Sequence, residues 1–236
     1  MRDSAALLDA VAGTAVGDPY SAPPPAEPYL QAVATPPRSQ RILMATASPF
    51  PGPATDPAVV TAVQRTASVL EELGHAIEAG TPRIDADAIA DAVAVLHTVS
   101  NVALYDLAAE HLGRQPREDD FEPSTWVMIR EGLTTSGAQY AGAIAAVHAQ
   151  TRRFAVQLVG FDALLVPTLL TPPPPYRLLD QPRATTRAFF DVEFATTGWT
   201  SLANVTGWAA ISVPVGETPD GLPIGVQLMA PDEEIL

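Results

Sequence analysis

Phe194, Thr197 and Ser201 recur at three- and four-residue spacing, so on a helix they would share one face. An aromatic ring beside two hydroxyls suits a mostly apolar pocket with few polar anchors. The same face could equally pack on a sheet. Trp126 is open in the same way, as core packing or as part of a pocket lid. His97 and His111 lie near one apolar helical stripe and His148 beside another, and each is read as structural. Asp85, Asp87 and Asp91 could suggest a cation site, but their spacing spreads them around a helix start, where carboxylates favour the dipole. The acidic run at 117–122 (REDDFE) reads as a solvated turn. No metal site and no cofactor are therefore expected. All thirteen basic residues are arginines, and the sequence contains no lysine and no cysteine. A guanidinium stays protonated near neutral pH and cannot take the proton that a neutral lysine can. Thiolate chemistry, disulfides and thiolate metal ligands are absent together.

The totals narrow the partners. At 236 residues, with 47% hydrophobic and 17% charged residues, the chain can bury a substantial core. Its net charge of −14 offers no cationic footprint for phosphates, so neither nucleic acid nor an anionic membrane surface is an expected partner. No apolar run is read as approaching the roughly 20 residues that span a bilayer, and no basic segment with an apolar core marks a secretory signal. The expected setting is cytoplasmic.

The elements that must position these residues follow in order. Residues 1–11 read as a helix with Asp3 or Ser4 as N-cap and Gly13 ending it. Residues 18–37 carry seven prolines, a density that prevents helix and reads as an extended connection. Residues 41–47 form a strand, Asp56-Pro57 opens a helix that Gly74 stops, and 75–79 form a second strand. From 85 to 112 an apolar stripe runs through Ile89, Val93, Leu96, Val99, Leu104 and Leu107. A shorter helical patch covers 123–132. Residues 136–159 form the clearest amphipathic helix, with Tyr140, Ile144, Val147, Thr151, Phe154 and Leu158 on one side. Residues 163–166 form an apolar strand, and 172–175 break the chain with prolines.

The stretch at 194–229 (FATTGWTSLANVTGWAAISVPVGETPDGLPIGVQLM) organises the rest. A helix over 192–205 carries the Phe194, Thr197 and Ser201 face. Asn204 and Gly207 then break the pattern, turning the chain toward a strand. Residues 209–215, a near-unbroken Ile- and Val-rich run, suit a strand buried on both faces. Thr218-Pro219-Asp220-Gly221 is a turn, and 224–229 return as a strand. The fold class is α/β: a mixed β-sheet covered by helices, in one domain without internal repeats.

Asn204-Val205-Thr206-Gly207, Ile211-Ser212-Val213-Pro214-Val215-Gly216 and Gly221-Leu222-Pro223-Ile224-Gly225-Val226-Gln227, in that order, resemble the C-terminal signature of the amidase signature family. The blocks at 57–79 and 161–168 are similar to family blocks as well. Ala209 stands where the family usually has proline, and Trp208 where it has a smaller residue. The resemblance implies hydrolysis of carboxamides by a serine nucleophile, a bridging cis-serine and a lysine. It also implies that this sequence begins just downstream of the nucleophile loop, stops one helix early, and forms a single incomplete domain over 1–236, truncated at both ends. Of the catalytic groups, the lysine is missing. The Gly/Ser-rich loop is missing too, since Ser136-Gly137 is the only Ser-Gly pair and has no second serine. No catalytic residue is therefore assigned. By position, Phe194, Thr197 and Ser201 match the family's pocket-facing stripe and Thr200 lies one residue off it. Asn204, Gly207, Gly216 and Gly225 are motif residues with structural roles.

The leading expectation is an amidase portion that supplies scaffold and pocket wall and is inactive alone. Its partner would be a small amide only once the missing portion is supplied, with self-association through an exposed core as a consequence. The alternative is a non-catalytic binding or assembly subunit whose partner carries the serines. A third reading, an independent hydrolase built on His148, has no nucleophile motif to support it.

Overall fold

Side-chain caps start half of the described α-helices. The computed structural model describes residues 1–175, 177–178 and 183–230. Asp56 accepts a hydrogen bond from the Ala58 amide at 2.8 Å and Pro57 opens α3 (Pro57–Glu72). Asp85 does the same for α4 (Ala86–Leu112), through Ala88 at 3.1 Å. Ser136 and Gln139 form a reciprocal capping box at the start of α6 (Gly137–Gln157). Between α4 and α6 lies α5 (Pro123–Gly132), which opens on proline.

Five strands form one sheet: β1 (Arg41–Met44), β2 (Ala76–Ala79), β3 (Ala163–Pro167), β4 (Ala209–Glu217) and β5 (Pro223–Ala230). Their order is β2-β1-β3-β5-β4, with β1 parallel to β2 and β3, and β5 antiparallel to β3 and β4. All five coincide with the expected strands to within a few residues. On one face, Val63 and Ala67 of α3 pack against Ile42, Ala163, Leu165 and Val226. On the other, Leu43, Leu164, Val166 and Met229 meet Ile89 and Val93 of α4, Phe154 of α6 and the helices beyond β3. The architecture is the expected α/β mixed sheet covered by helices.

Several local expectations are corrected. Helix α1 (Arg2–Val11) starts at Arg2 with Met1 at the N-cap, so neither Asp3 nor Ser4 caps it. Residues 18–37 are not free of helix. The one-turn α2 (Tyr29–Ala32) forms in a proline-free window, and Asp9 of α1 accepts from the Tyr29 and Leu30 amides at 2.7 and 3.0 Å. In α4 burial stops after Thr98, and Leu104 and Leu107 are exposed, so the apolar stripe runs past the part of this long helix that is packed in the core. That helix is also long and apolar enough, by length and composition, to span a membrane, which the sequence reading had not found. Its alanines raise the hydropathy without an unbroken aliphatic run, and its N-terminal half is packed in the core instead. In α6 the buried face is Ala143, Gln150, Phe154 and Leu158, so Tyr140 is exposed.

Strand β4 is not buried on both faces. It lies at the sheet edge with β5 as its one strand neighbour, and Val213 and Val215 pack toward α3. Ala210, Ser212 and Pro214, on the opposite face, are exposed. An apolar run signals a buried strand only when neighbours exist on both sides. Among the described residues, nothing covers this face.

Candidate functional site

The expected helix over 192–205 is two helices. α7 (Thr186–Thr197) is capped by the Thr185 hydroxyl, which accepts from Ala188, and α8 (Trp199–Thr206) follows after a break at Gly198. Gly198 has φ 51° and ψ −99°, a conformation that a side chain strains. Its missing side chain also leaves room for Leu170: a Cβ there would lie 2.8 Å from Leu170 Cδ1 and 3.0 Å from Cγ. Trp199, fully buried, then fixes α8 by donating its indole N–H to the Ala47 carbonyl at 3.1 Å. Gly207, at φ 70°, ends α8.

The break keeps the proposed hydroxyls together. Thr197 Oγ1 and Ser201 Oγ are 3.2 Å apart, and both residues are half-buried. The Thr197 hydroxyl also donates to the Glu193 carbonyl at 3.1 Å, and Thr200 donates to the Thr197 carbonyl at 3.4 Å. Phe194 is placed differently. It stacks on Phe50 with centroids 4.4 Å apart and is only 3% exposed, so its ring lies in the core and not beside the hydroxyls. Trp126 is half-buried in a separate aromatic group, stacked on Phe121 at 6.0 Å and tilted to Tyr105 at 6.4 Å. Trp208 packs on Phe154 at 5.2 Å and fills the core edge.

The motif residues divide. Asn204 does not break the helix: it lies inside α8 and is exposed, and Gly207 alone terminates the element. Gly216 follows a bulge, since the β4–β5 register slips between Pro214 and Gly216. Gly225 has a role in close approach. A Cβ on it would lie 3.0 Å from Thr168 Oγ1 and 3.1 Å from Ser212 Oγ, two hydroxyls that bond each other at 2.7 Å. Beside this pair runs an open groove of about 250 Å³, lined also by Val59, Leu169, Pro214 and Ile224. A larger surface depression of about 530 Å³ runs along Arg83, Gln150, Arg152 and Gln157. Neither of these two is lined by Thr197 or Ser201.

Three polar groups emerge that the sequence reading did not single out. Burial pushes the Glu193 carboxyl above the usual carboxylate range, and nearby His97 pulls it partly back. Thr168 and Ser212 form the hydroxyl pair just described. Gln227, opposite Ser212 in the β4–β5 register, is 5% exposed, and its Nε2 has no partner. A lone hydroxyl just after one apolar strand (Thr168) and inside another (Ser212) was the available signal.

The acidic groups are used structurally. Arg187 of α7 bridges Asp87 and Asp91 of α4 and its own helix's Asp191, which ties the two helix starts together. Asp120 accepts from the Arg114 guanidinium at 2.7 and 2.8 Å and from the Arg117 amide, which holds its carboxyl down to about 2. Among the described residues no group of three or more His, Asp or Glu side chains is arranged to hold a metal ion. His97 Nδ1 lies 3.0 Å from the Val93 carbonyl, and its ring packs on Phe190.

Comparison with known proteins places this arrangement in a family. Residues 1–234 match the family described as Amidase. The 6-aminohexanoate-cyclic-dimer hydrolase of Paenarthrobacter ureafaciens is 31% identical over 245 residues, covering 98% of this chain and 48% of that protein. A structure of a 6-aminohexanoate cyclic dimer hydrolase complexed with substrate superposes with a TM-score of 0.87 at 29% identity, over 97% of this chain and 49% of the other. A bacterial aryl acylamidase of the amidase signature enzymes shares the fold, with a TM-score of 0.78 at 21% identity over 99% of this chain and 48% of the other. The chain thus spans about half the length of the curated relatives it matches. Its sequence blocks, its mixed sheet and its match over nearly every residue agree, and the chain belongs to the amidase family.

Proposed function

We propose that this chain is the C-terminal, scaffold and pocket-wall portion of a carboxamide hydrolase, and that it does not hydrolyse amides by itself. The observation that carries this reading is the absence of lysine from a chain that otherwise matches the family throughout. The family's serine is deprotonated, through a second serine, by a neutral lysine, and no arginine can replace that base. The hydroxyl environment supports the same view. Among the described residues, the hydrogen bonds of Ser136, Ser201 and Ser212 run to Gln139, Thr197 and Thr168, with no histidine or carboxylate base beside them. Thr197, Thr200 and Ser201, held by the Gly198 break, form the wall that meets the acyl part of a neutral amide. Trp126, stacked with Phe121 and tilted to Tyr105 in a group of its own, is left to packing in this reading. A cytoplasmic setting accompanies this reading.

The nucleophile, the cis-serine and the lysine would come from polypeptide outside this sequence, as one chain or as a partner. The second form is a non-catalytic subunit that pairs with a serine-bearing partner. The test is co-expression of this chain with the part of the Paenarthrobacter hydrolase that it does not match. Amide turnover should require both pieces, and Ser201→Val should raise KM more than it lowers kcat. Turnover that is indifferent to this chain, or to Thr197 and Ser201 substitutions, would remove the assignment.

A further inference from the structure

Unpaired arginines gather in the depression of about 530 Å³ between α6 and the 80–85 connection that joins β2 to α4. Elsewhere in this acidic chain Arg38, Arg41, Arg114 and Arg187 each lie against a carboxylate. Arg83, Arg152 and Arg153 are exposed and line the depression, and among the described residues none of the three forms an ion pair. The walls are fixed by a clamp. The Arg83 amide donates to Gln157 Oε1 at 2.8 Å, and Gln157 Nε2 donates to the Arg83 carbonyl at 2.8 Å, which pins the connection onto α6. On α6, Gln150, Arg153 and Gln157 follow helical spacing and share a stripe, with Arg152 and Val156 alongside. Gln150 lines the same depression and is only 6% exposed, yet among the described residues its amide has no hydrogen-bond partner. Buried amides are nearly always paired, so Gln150 is left to bond an occupant. Asp85 is the acidic side chain of the lining, and it accepts from the Ala88 amide as the α4 N-cap. Three guanidiniums against that one carboxylate leave two positive charges uncompensated. Guanidinium forks match the paired oxygens of carboxylate and phosphate groups. Ile84 and Val156 add apolar wall, and the volume falls within the range of small-ligand sites.

We propose that this depression binds a small dianion, a phosphate monoester or a dicarboxylate, whose charged oxygens meet Arg83, Arg152 and Arg153 and which bonds the Gln150 amide. Binding needs only the 236-residue chain, and it holds whether or not that chain hydrolyses amides. The probes are methyl phosphate and glutarate as dianions and acetate as the monoanion, titrated calorimetrically into the purified full chain at about pH 8, where the phosphate carries both charges. The expected result is one saturable dianion site, about tenfold or more tighter than for acetate, and weakened about tenfold by Arg83→Gln and by Arg152→Gln. Arg65→Gln, an exposed arginine of α3, should leave it unchanged. Gln150→Leu should weaken it as well, without altering any charge. Raising the salt from about 25 to about 150 mM should loosen the dianion severalfold, because the arginines are exposed. The tighter of the two dianions identifies the oxyanion group that the site takes. Circular dichroism checks that each variant is folded, and the two exposed arginines decide if Gln150→Leu is not. No saturable dianion binding overturns the site, as does equal affinity for acetate. Binding that Arg65→Gln weakens as much as Arg83→Gln reports only the net charge of the chain and also overturns it. So does binding that tolerates both Arg83→Gln and Arg152→Gln.

Discussion

Replacing Gly198 by alanine tests the geometry that holds the Thr197 and Ser201 hydroxyls together. The backbone at φ 51° and ψ −99° is strained for any L-residue with a side chain, a cost of about 1–2 kcal/mol. The new Cβ would also lie 2.8, 3.1 and 3.0 Å from Cδ1, Cδ2 and Cγ of Leu170, whose side chain is 1% exposed and cannot swing into solvent. Overpacking of that kind costs about 1–3 kcal/mol. The sum, about 2–5 kcal/mol, is a large part of the roughly 5–15 kcal/mol that holds an ordinary domain together. With a urea slope near 2 kcal/mol/M, the midpoint should fall by about 1–2.5 M. The two contributions separate in a second background. Leu170→Ala alone should cost about 2–5 kcal/mol through its cavity. Adding Gly198→Ala to it should then cost only the backbone part, about 1–2 kcal/mol, since the crowding atoms are gone. A loss below about 0.5 kcal/mol in the unsubstituted background, or an equal loss in both, would refute the reasoning.

Other consequences are as direct. Trp199→Phe should destabilise by about 1–3 kcal/mol because the fully buried indole loses packing volume together with its hydrogen bond to the Ala47 carbonyl, and urea unfolding reads this. An NMR titration should find the Asp120 carboxyl near pH 2, moving up toward the ordinary carboxylate range in Arg114→Gln. The sign follows from a depressed folded value: the pair's contribution is full above the ordinary carboxylate pKa of about 3.9 and is lost as pH falls toward 2. Glu193 runs the other way. Its carboxyl is raised by burial, so the folded state binds a proton more readily than the unfolded chain and loses stability as pH rises through its titration. Glu193→Gln should therefore raise the urea midpoint at neutral pH and leave it unchanged below the ordinary glutamate pKa.

The sheet was legible because each strand is a short apolar run flanked by turn chemistry, as 163–166 before the prolines and 224–229 after Asp220-Gly221 show. Helix starts were legible at Asp56, Asp85 and Ser136, where a cap and its partner lie within three residues. What failed depended on neighbours distant in sequence. A glycine inside a helical pattern is tolerated often enough that Gly198 gave no warning, and its reason, Leu170, lies on another element. The exposure of β4 follows from its place at the sheet edge, which composition does not encode. Phe194 and Ser201 share helical spacing, yet the break at Gly198 leaves the ring in the core and the hydroxyls beside each other. Thr168, just after one apolar strand, and Ser212, inside another, could have been read as lone hydroxyls, but their meeting across β5 requires the register.

The central claim, that this chain carries an amidase scaffold without its chemistry, is met most directly by assaying the purified chain alone. A short aliphatic amide and an aryl amide serve as substrates, with a serine-reactive probe alongside. The expected result is no turnover above a mock preparation and no labelled serine. Turnover that disappears in His148→Ala would contradict it, because the reaction would then have been rebuilt on a residue given no catalytic role here.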